Sequence, residues 1–360
     1  MNPVAVRILH LEPGPAAGPL ERWLAEARSR NADRLWSLFD ATGAEDVRIV
    51  AGPPDDIAFG TRLRALLGHV PPGAGLVLAG SGAVPLATHE DVDAFLEVAA
   101  SGERRAIANN RYSADIVAVG RAADLAEVPD LSGDNALPRW LDEVAGIEVT
   151  DLRRRWRLSM DLDSPLDALL TGAFETRAGL DLDHLAGAME GLRRIARDRR
   201  AELVVAGRVS GTIVRWLEGS TASRVRALIE ERGLRAASPE ALGRPASGTA
   251  PGAARRPPRS ILGIALDDRG PDALGSIVAE LGDGAVIDSR VLLAHRLGPD
   301  ERDWPAAEDR FSSDLLLPER IADPWLRALT ASARDATIPI LLGGHSLVGP
   351  GVRLLLKPPR

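Results

Sequence analysis

Asp161-Leu162-Asp163-Ser164-Pro165-Leu166-Asp167 places two carboxylates two residues apart, just ahead of a helix start. At the end of a strand, side chains at i and i+2 share one face about 7 Å apart along the chain. Acids held that way can grip a hard cation such as Mg²⁺ through oxygen, with phosphate completing the shell. Ser164 as N-cap, Pro165 at the first helical position and Asp167 two residues further form a helix start on their own. That cap accounts for three residues and leaves Asp161 and Asp163 unexplained. A cation, or an arginine from Arg153-Arg154-Arg155-Trp156-Arg157, would relieve their repulsion.

A second constellation lies later. Asp288, Arg290 and His295 follow one apolar run; His345 and Ser346 follow Gly343-Gly344 after another; Arg208 and Ser210 follow a third. Arg310 and Asp314 sit in a polar stretch near them in sequence. Strand ends of this kind are where open α/β sheets hold ligands. An anion or substrate site using Arg208, Arg290 and the Gly343-Gly344 turn is one reading, and caps with exposed polar groups are the other. An Asp-His-Ser triad is a third, although Ser346 lacks the Gly-x-Ser-x-Gly elbow. In the first half, Asn109-Asn110-Arg111-Tyr112-Ser113 breaks two apolar runs. Asn110 and Arg111 there could face a base or phosphate, or belong to a solvated connection.

Composition narrows the chemistry. With no cysteine, disulfides, thiolate metal sites and cysteine nucleophiles are excluded. The histidines show no paired ligand spacing, which argues against zinc. Lys357 is the only lysine, so any phosphate must be held by arginine, backbone N–H groups or metal. A net charge of −7 argues against a broad nucleic-acid surface. No apolar run approaches the roughly 18 residues of a membrane span. The start, Met1-Asn2-Pro3-Val4, lacks the layout of a secretion signal, so the expected location is cytoplasmic. A homo-oligomer is compatible with all of this.

The elements that must position these residues read as α/β throughout. Apolar strands are expected at 4–9, 47–50, 76–79, 106–108, 114–119 and 147–149, with a further one running into Asp161. Helices are expected over 20–39, 61–68, from Thr88, and over 135–145. Thr88 with Asp91 three residues on resembles a capping box. Alternation of this length predicts a three-layer, mostly parallel sheet with right-handed crossovers. At 360 residues two domains are expected, 1–175 and 176–360. The second is also α/β, with strands at 203–207, 261–266, 285–288 and 338–342 and helices over 182–200, 212–218, 221–232 and 271–281. Between 236 and 260 the chain turns to Ala, Gly, Pro, Ser and Arg without periodicity and reads as a disordered loop.

A strand–helix array ending in Asp-Leu-Asp-Ser-Pro-Leu-Asp resembles the GT-A-type nucleotidyltransferases. It is most similar to the molybdenum-cofactor guanylyltransferase-like group and to the guanylyltransferase of deazaflavin cofactor synthesis. Asp161, Asp163, Ser164, Pro165 and Asp167 match the family's Asp-hydrophobic-Asp-Thr-Pro-x-Asp run, with Ser for Thr, and the similarity covers roughly residues 4–172. It implies transfer of a nucleoside monophosphate from a nucleoside triphosphate to a small-molecule acceptor, with Mg²⁺ held by Asp161 and Asp163. The family's phosphate loop after the first strand corresponds to Glu12–Arg22, where Gly14, Gly18 and Arg22 would wrap the phosphates. That loop contains prolines and no lysine. Where the family's third strand ends in a metal-binding Asp before Pro-Leu, this chain has Gly80-Ser81-Gly82-Ala83-Val84-Pro85-Leu86. The resemblance thus implies that Ser81 stands near the nucleotide, without an acid beside it.

Two functional readings therefore lead: a nucleotidyltransferase-like enzyme, or an eroded relative that binds nucleotide or ligand, or supports assembly, with its working site in the C-terminal half. A hydrolase centred on Asp288, His295, His345 and Ser346 is the third.

Overall fold

The computed structural model describes residues 2–131, 133–172, 179–230 and 258–357. The chain divides into two compact α/β units, which change over at Asp161–Leu162 rather than after residue 175. Residues 17–24 are counted with the second unit. The loop expected at 236–260 lies outside the described residues except for 258–260.

The first unit is built on a six-stranded sheet of β1 (Val4–Leu11), β2 (Asp46–Gly52), β3 (Gly75–Gly80), β4 (Arg105–Ala108), β5 (Ile116–Val119) and β6 (Glu148–Asp151). Its order is β2-β1-β3-β5-β4-β6, and β5 runs antiparallel to both of its neighbours. Val6 of β1 faces Val47 and Val77 across the ladder. Alternate residues of β1 feed opposite faces, as a period of two requires. Val6 and Ile8 pack with Leu35 and Phe39 of α1 (Pro19–Ala41) and Phe95 of α3 (His89–Ala100). Ala5, Leu76 and Leu78 pack with Leu63 of α2 (Phe59–Leu67) and Trp140 of α4 (Leu137–Glu143). Helices on both faces explain why the strands read as continuous apolar runs. The expected cap at Thr88 is present: the Asp91 carboxylate accepts from the Thr88 N–H and hydroxyl, each at 3.0 Å.

Asp161 and Asp163 do not sit on a strand. A short 3₁₀ turn at Trp156–Ser159 precedes them, and Asp161 makes a single antiparallel bridge to Ala83. Leu158, Met160 and Leu162 are wholly buried. Their alternation imitates a strand, while the turn starting at Arg155 prevents a ladder from forming.

The second unit carries a four-stranded, fully parallel sheet of order β10-β9-β7-β8. The strands are β7 (Glu202–Gly207), β8 (Arg224–Ile229), β9 (Gly284–Asp288) and β10 (Ile340–Gly343). Around them lie α5 (Pro165–Thr171), α6 (Asp183–Arg197), α7 (Gly211–Ser220), α8 (Ile261–Arg269), α9 (Leu274–Ala279), α10 (Ser289–Leu297), α11 (Ala307–Asp314), α12 (Pro324–Arg334) and α13 (Val352–Leu356).

Two expectations fail here. The helix expected over 221–232 is the edge strand β8, paired in parallel with β7. The strand expected over 261–266 is helix α8. Ser260 caps it by accepting from the Gly263 N–H, while Ile261 and Ile264 face solvent and Leu262 and Leu266 the core. A short apolar run cannot be assigned by period alone, and the cap decides it.

Candidate functional site

In the first sheet the chain leaves β1 toward β2 on one side and returns to β3 on the other. The carboxyl ends of β1 and β3 are therefore the topological switch point, where open sheets form a crevice. His10 lies near the end of β1, and its Nδ1 is 3.1 Å from the Ser81 hydroxyl just after β3. The Ser81 N–H donates to the Leu9 carbonyl at 2.8 Å. From α1, Asn31 Nδ2 donates to the carbonyls of Ser81 (2.9 Å) and Ala83 (2.8 Å). Asn31 Oδ1 is buried and meets no donor among the described residues.

This clamp holds a strained loop. Val84 is buried with φ of +42°, a conformation that a β-branched residue adopts only when its surroundings impose it. The bridge to Asp161 ties the loop at Ala83. Burial lowers the His10 pKa below the ordinary histidine value, against the charge of Glu12, with Arg28 acting in the same direction as burial. The sequence pointed to Ser81 and Asp161. It missed His10, Arg28 and Asn31, because a lone histidine and two helix residues carry no motif.

The other residues expected near the nucleotide are placed differently. A Cβ on Gly18 would fall 2.2 Å from Glu308 Oε2. The N–H groups of Leu20 and Glu21 donate to that same carboxylate, at 2.9 and 3.3 Å. The opening turn of α1, where a phosphate was expected, thus already carries an anion. Arg22 is exposed, and Gly14 lies in the connection after β1. Asn110 Oδ1 accepts from the Tyr112 N–H at 3.0 Å. Arg111 pairs with Asp142, and Arg111 and Arg153 both lie over the Tyr112 ring, at 5.3 and 5.1 Å.

In the second unit, β7 is flanked by β8 and β9, so the switch point falls between β7 and β9. Arg208, directly after β7, forks onto Asp288 at the end of β9 through Nε (2.6 Å) and Nη2 (3.0 Å). Arg290, in the first turn of α10, grips both oxygens of Asp314 at the end of α11 through Nη1 and Nη2. Burial opposes both charges of that pair, and the Asp314 contact still raises the Arg290 pKa above the ordinary guanidinium value. His345 Nδ1 lies 3.5 Å from Asp163 Oδ2, with nearly half of each side chain open.

Beneath them, the Asp167 carboxylate accepts from the Asp163 N–H (3.1 Å) and the Ser164 hydroxyl (2.9 Å). Burial, reinforced by the charges of Asp163 and Asp314, pushes Asp167 up to about 8. The five residues Arg208, Asp288, Arg290, His345 and Ser346 all belong to this unit, together with Asp163.

Among the described residues Asp288, His295 and Ser346 form no Asp-His-Ser relay. Asp288 is taken by Arg208. The His295 ring accepts from the Ser260 N–H at Nδ1 (3.0 Å) and meets Asp267 at Nε2 (2.9 Å). The Ser346 hydroxyl is buried without a partner among the described residues.

Asp161 and Asp163, expected to hold one metal, are counted with different units. Asp161 ties to Ala83 in the first unit, and Asp163 faces His345 in the second. Among the described residues no three His, Cys, Asp or Glu side chains are grouped as a metal would need. A hollow of about 430 Å³ opens at the amino end of β10, beside His184, Arg194 and Arg334. It lies at the opposite end of the strand from the acid–arginine pairs, and Arg334 is already engaged by Asp335 and Glu319. Among the described residues no helix is long and apolar enough to cross a membrane. Compared with protein-family models, curated proteins and solved structures, the chain matches none.

Proposed function

We propose that the first unit binds a nucleoside triphosphate at the carboxyl ends of β1 and β3 and acts as a nucleotidyltransferase toward a small acceptor. The observation that carries this reading is the Asn31 clamp, which holds the 81–84 loop in strain at the switch point. Such strain persists only where surrounding contacts over-determine it, and it concentrates at ligand sites. His10, with its pKa lowered, is largely neutral at pH 7 and can take a proton from an acceptor hydroxyl. The acceptor oxygen would bond to the α-phosphorus as the bond to the β-phosphate oxygen breaks and pyrophosphate leaves. The backbone of Asp161 bridges this loop at Ala83, so Mg²⁺ would take the Asp161 carboxylate as a protein ligand and draw its remaining oxygens from phosphate and water.

A second reading is a nucleotide binder without turnover. It is favoured by Ser81, which stands where the resembling enzymes carry an acid, and by the engagement of Asp163 with His345.

Thermal unfolding with a panel of nucleoside triphosphates, with and without Mg²⁺, tests both. At a hundred times its dissociation constant a ligand adds about 2.7 kcal/mol, or roughly 5–10 °C for a domain of this size. A Mg²⁺-dependent rise that is lost in Asp161→Asn and reduced in His10→Ala supports the site. Pyrophosphate release with candidate acceptors then separates transferase from binder. No rise with any nucleotide overturns both readings.

A further inference from the structure

The second unit has a switch point of its own, between β7 and β9. We propose that the carboxyl end of its sheet binds a small phosphate-bearing molecule between Arg208 and His345.

Three observations support it. The first is position. β7 and β9 bracket the switch point of a fully parallel sheet, and Arg208 and Asp288 occupy its two carboxyl ends. Gly207, with φ of +115°, lets the two strand ends close on each other; a Cβ there would fall 2.3 Å from Asp288 Cβ. The second is charge. Asp288 is neutralised by the fork of Arg208 and Asp314 by that of Arg290, so neither buried acid confronts an incoming anion. Asp163, whose carboxylate is nearly half open, lies 3.5 Å from His345 Nδ1. Helix α7 begins four residues after β7, so its N-terminal N–H groups lie at the same end of the sheet.

The third observation is a missing partner. Ser346, one residue beyond His345, is wholly buried, yet its hydroxyl meets no group among the described residues. Buried hydroxyls are almost always paired. Beside it, a Cβ built on Gly344 meets nothing within 4 Å, so there is room at the turn. A phosphate supplies acceptor oxygens for a hydroxyl, a guanidinium and an imidazole together. Arg208, fixed in place by its fork onto Asp288, would meet that phosphate as a positioned positive charge.

The test uses the full chain and does not depend on the nucleotide site. Inorganic phosphate and glycerol phosphate are titrated separately while the ¹H–¹⁵N imidazole signal of His345, assigned with His345→Gln, is followed. The expected result is saturable movement of that signal with at least one probe. Tighter binding of glycerol phosphate would place an organic phosphomonoester there, and equal binding the free ion. By calorimetry, affinity should fall about tenfold or more in His345→Gln and in Arg208→Lys, which keeps a charge on Asp288 but loses the fork. It should survive in His10→Ala and Asp161→Asn, so loss of the first-unit site would leave this one standing. Absence of saturation in the native chain, or unchanged affinity in the folded His345→Gln variant, overturns the proposal.

Discussion

Gly207 and Asp288 sit so close that not even a methyl group fits between them. A Cβ on Gly207 would lie 2.3 Å from Asp288 Cβ, and the backbone there has φ of +115°. Gly207→Ala therefore adds both a clash and a conformation closed to L side chains. The expected cost is roughly 2–4 kcal/mol, read as a lowered urea midpoint. Because the displaced group is the partner of Arg208, the variant should also weaken phosphate binding.

Asp167 makes stability depend on pH in the direction opposite to most carboxylates. Its folded pKa is raised to about 8, by burial first and then by the charges of Asp163 and Asp314. Between the unfolded value near 4 and about 8, the unfolded chain has lost a proton that the folded chain keeps. Stability from this group is thus fully present below pH 4 and falls as pH rises, by up to about 1.4 kcal/mol per unit. Asp167→Asn mimics the protonated acid and retains an oxygen to accept from Ser164 and Asp163. Urea midpoints between pH 5 and 9 should show the variant gaining on the native chain up to about pH 8 and holding level beyond. A constant gap would show that Asp167 does not titrate there.

How far the sequence exposed all this depended on the range of each interaction. Local chemistry was legible: Ser164 and Asp167 cap α5, and Thr88 and Asp91 cap α3, as their spacing requires. Strand ends were legible too, which is why Arg208, Asp288, Arg290, His345 and Ser346 all fall in one unit. Pairing across distance was hidden. Nothing in the sequence around Glu308 announces that it caps residues 20 and 21, nor does residue 31 reveal that it clamps residues 81 and 83. The run from Leu158 to Leu162 alternates like a strand, yet it forms one bridge because the turn starting at Arg155 interrupts the extended backbone.

Arg290 and Asp314 form an ion pair with almost no solvent, at 10% and 0% side-chain exposure. Removing one partner strands the other charge, so Asp314→Leu or Arg290→Met should each cost about 3–5 kcal/mol. The double variant should cost less than either single change, since no uncompensated charge remains. A double-mutant cycle from denaturant unfolding checks this, and additive losses would show that the pair is not coupled.

Glu308 offers a test of the opening turn of α1. Its carboxylate accepts from the Leu20 and Glu21 N–H groups, so Glu308→Ala should cost about 1 kcal/mol, as loss of an N-cap does. If a nucleotide phosphate instead used those N–H groups, the variant would bind nucleoside triphosphate more tightly by calorimetry. The expected result is unchanged nucleotide affinity, which would keep the phosphates at the ends of β1 and β3.

Asn31 links stability of the first unit to its ligand. Asn31→Ala deletes the donors to Ser81 and Ala83 and frees the loop that carries Val84 at φ of +42°. Two buried carbonyls lose their partner, at a cost of about 2 kcal/mol or more. Val84 can then relax toward an ordinary conformation, which moves Ser81 away from His10 and loosens the tie between Ala83 and Asp161. Nucleoside triphosphate affinity should therefore fall further than in Ser81→Ala, which removes one hydroxyl and leaves the loop in place. Calorimetry on the two variants, each checked for folding by circular dichroism, decides the order. Equal losses would mean that the strained loop does not shape the site, and that the His10–Ser81 contact alone carries it.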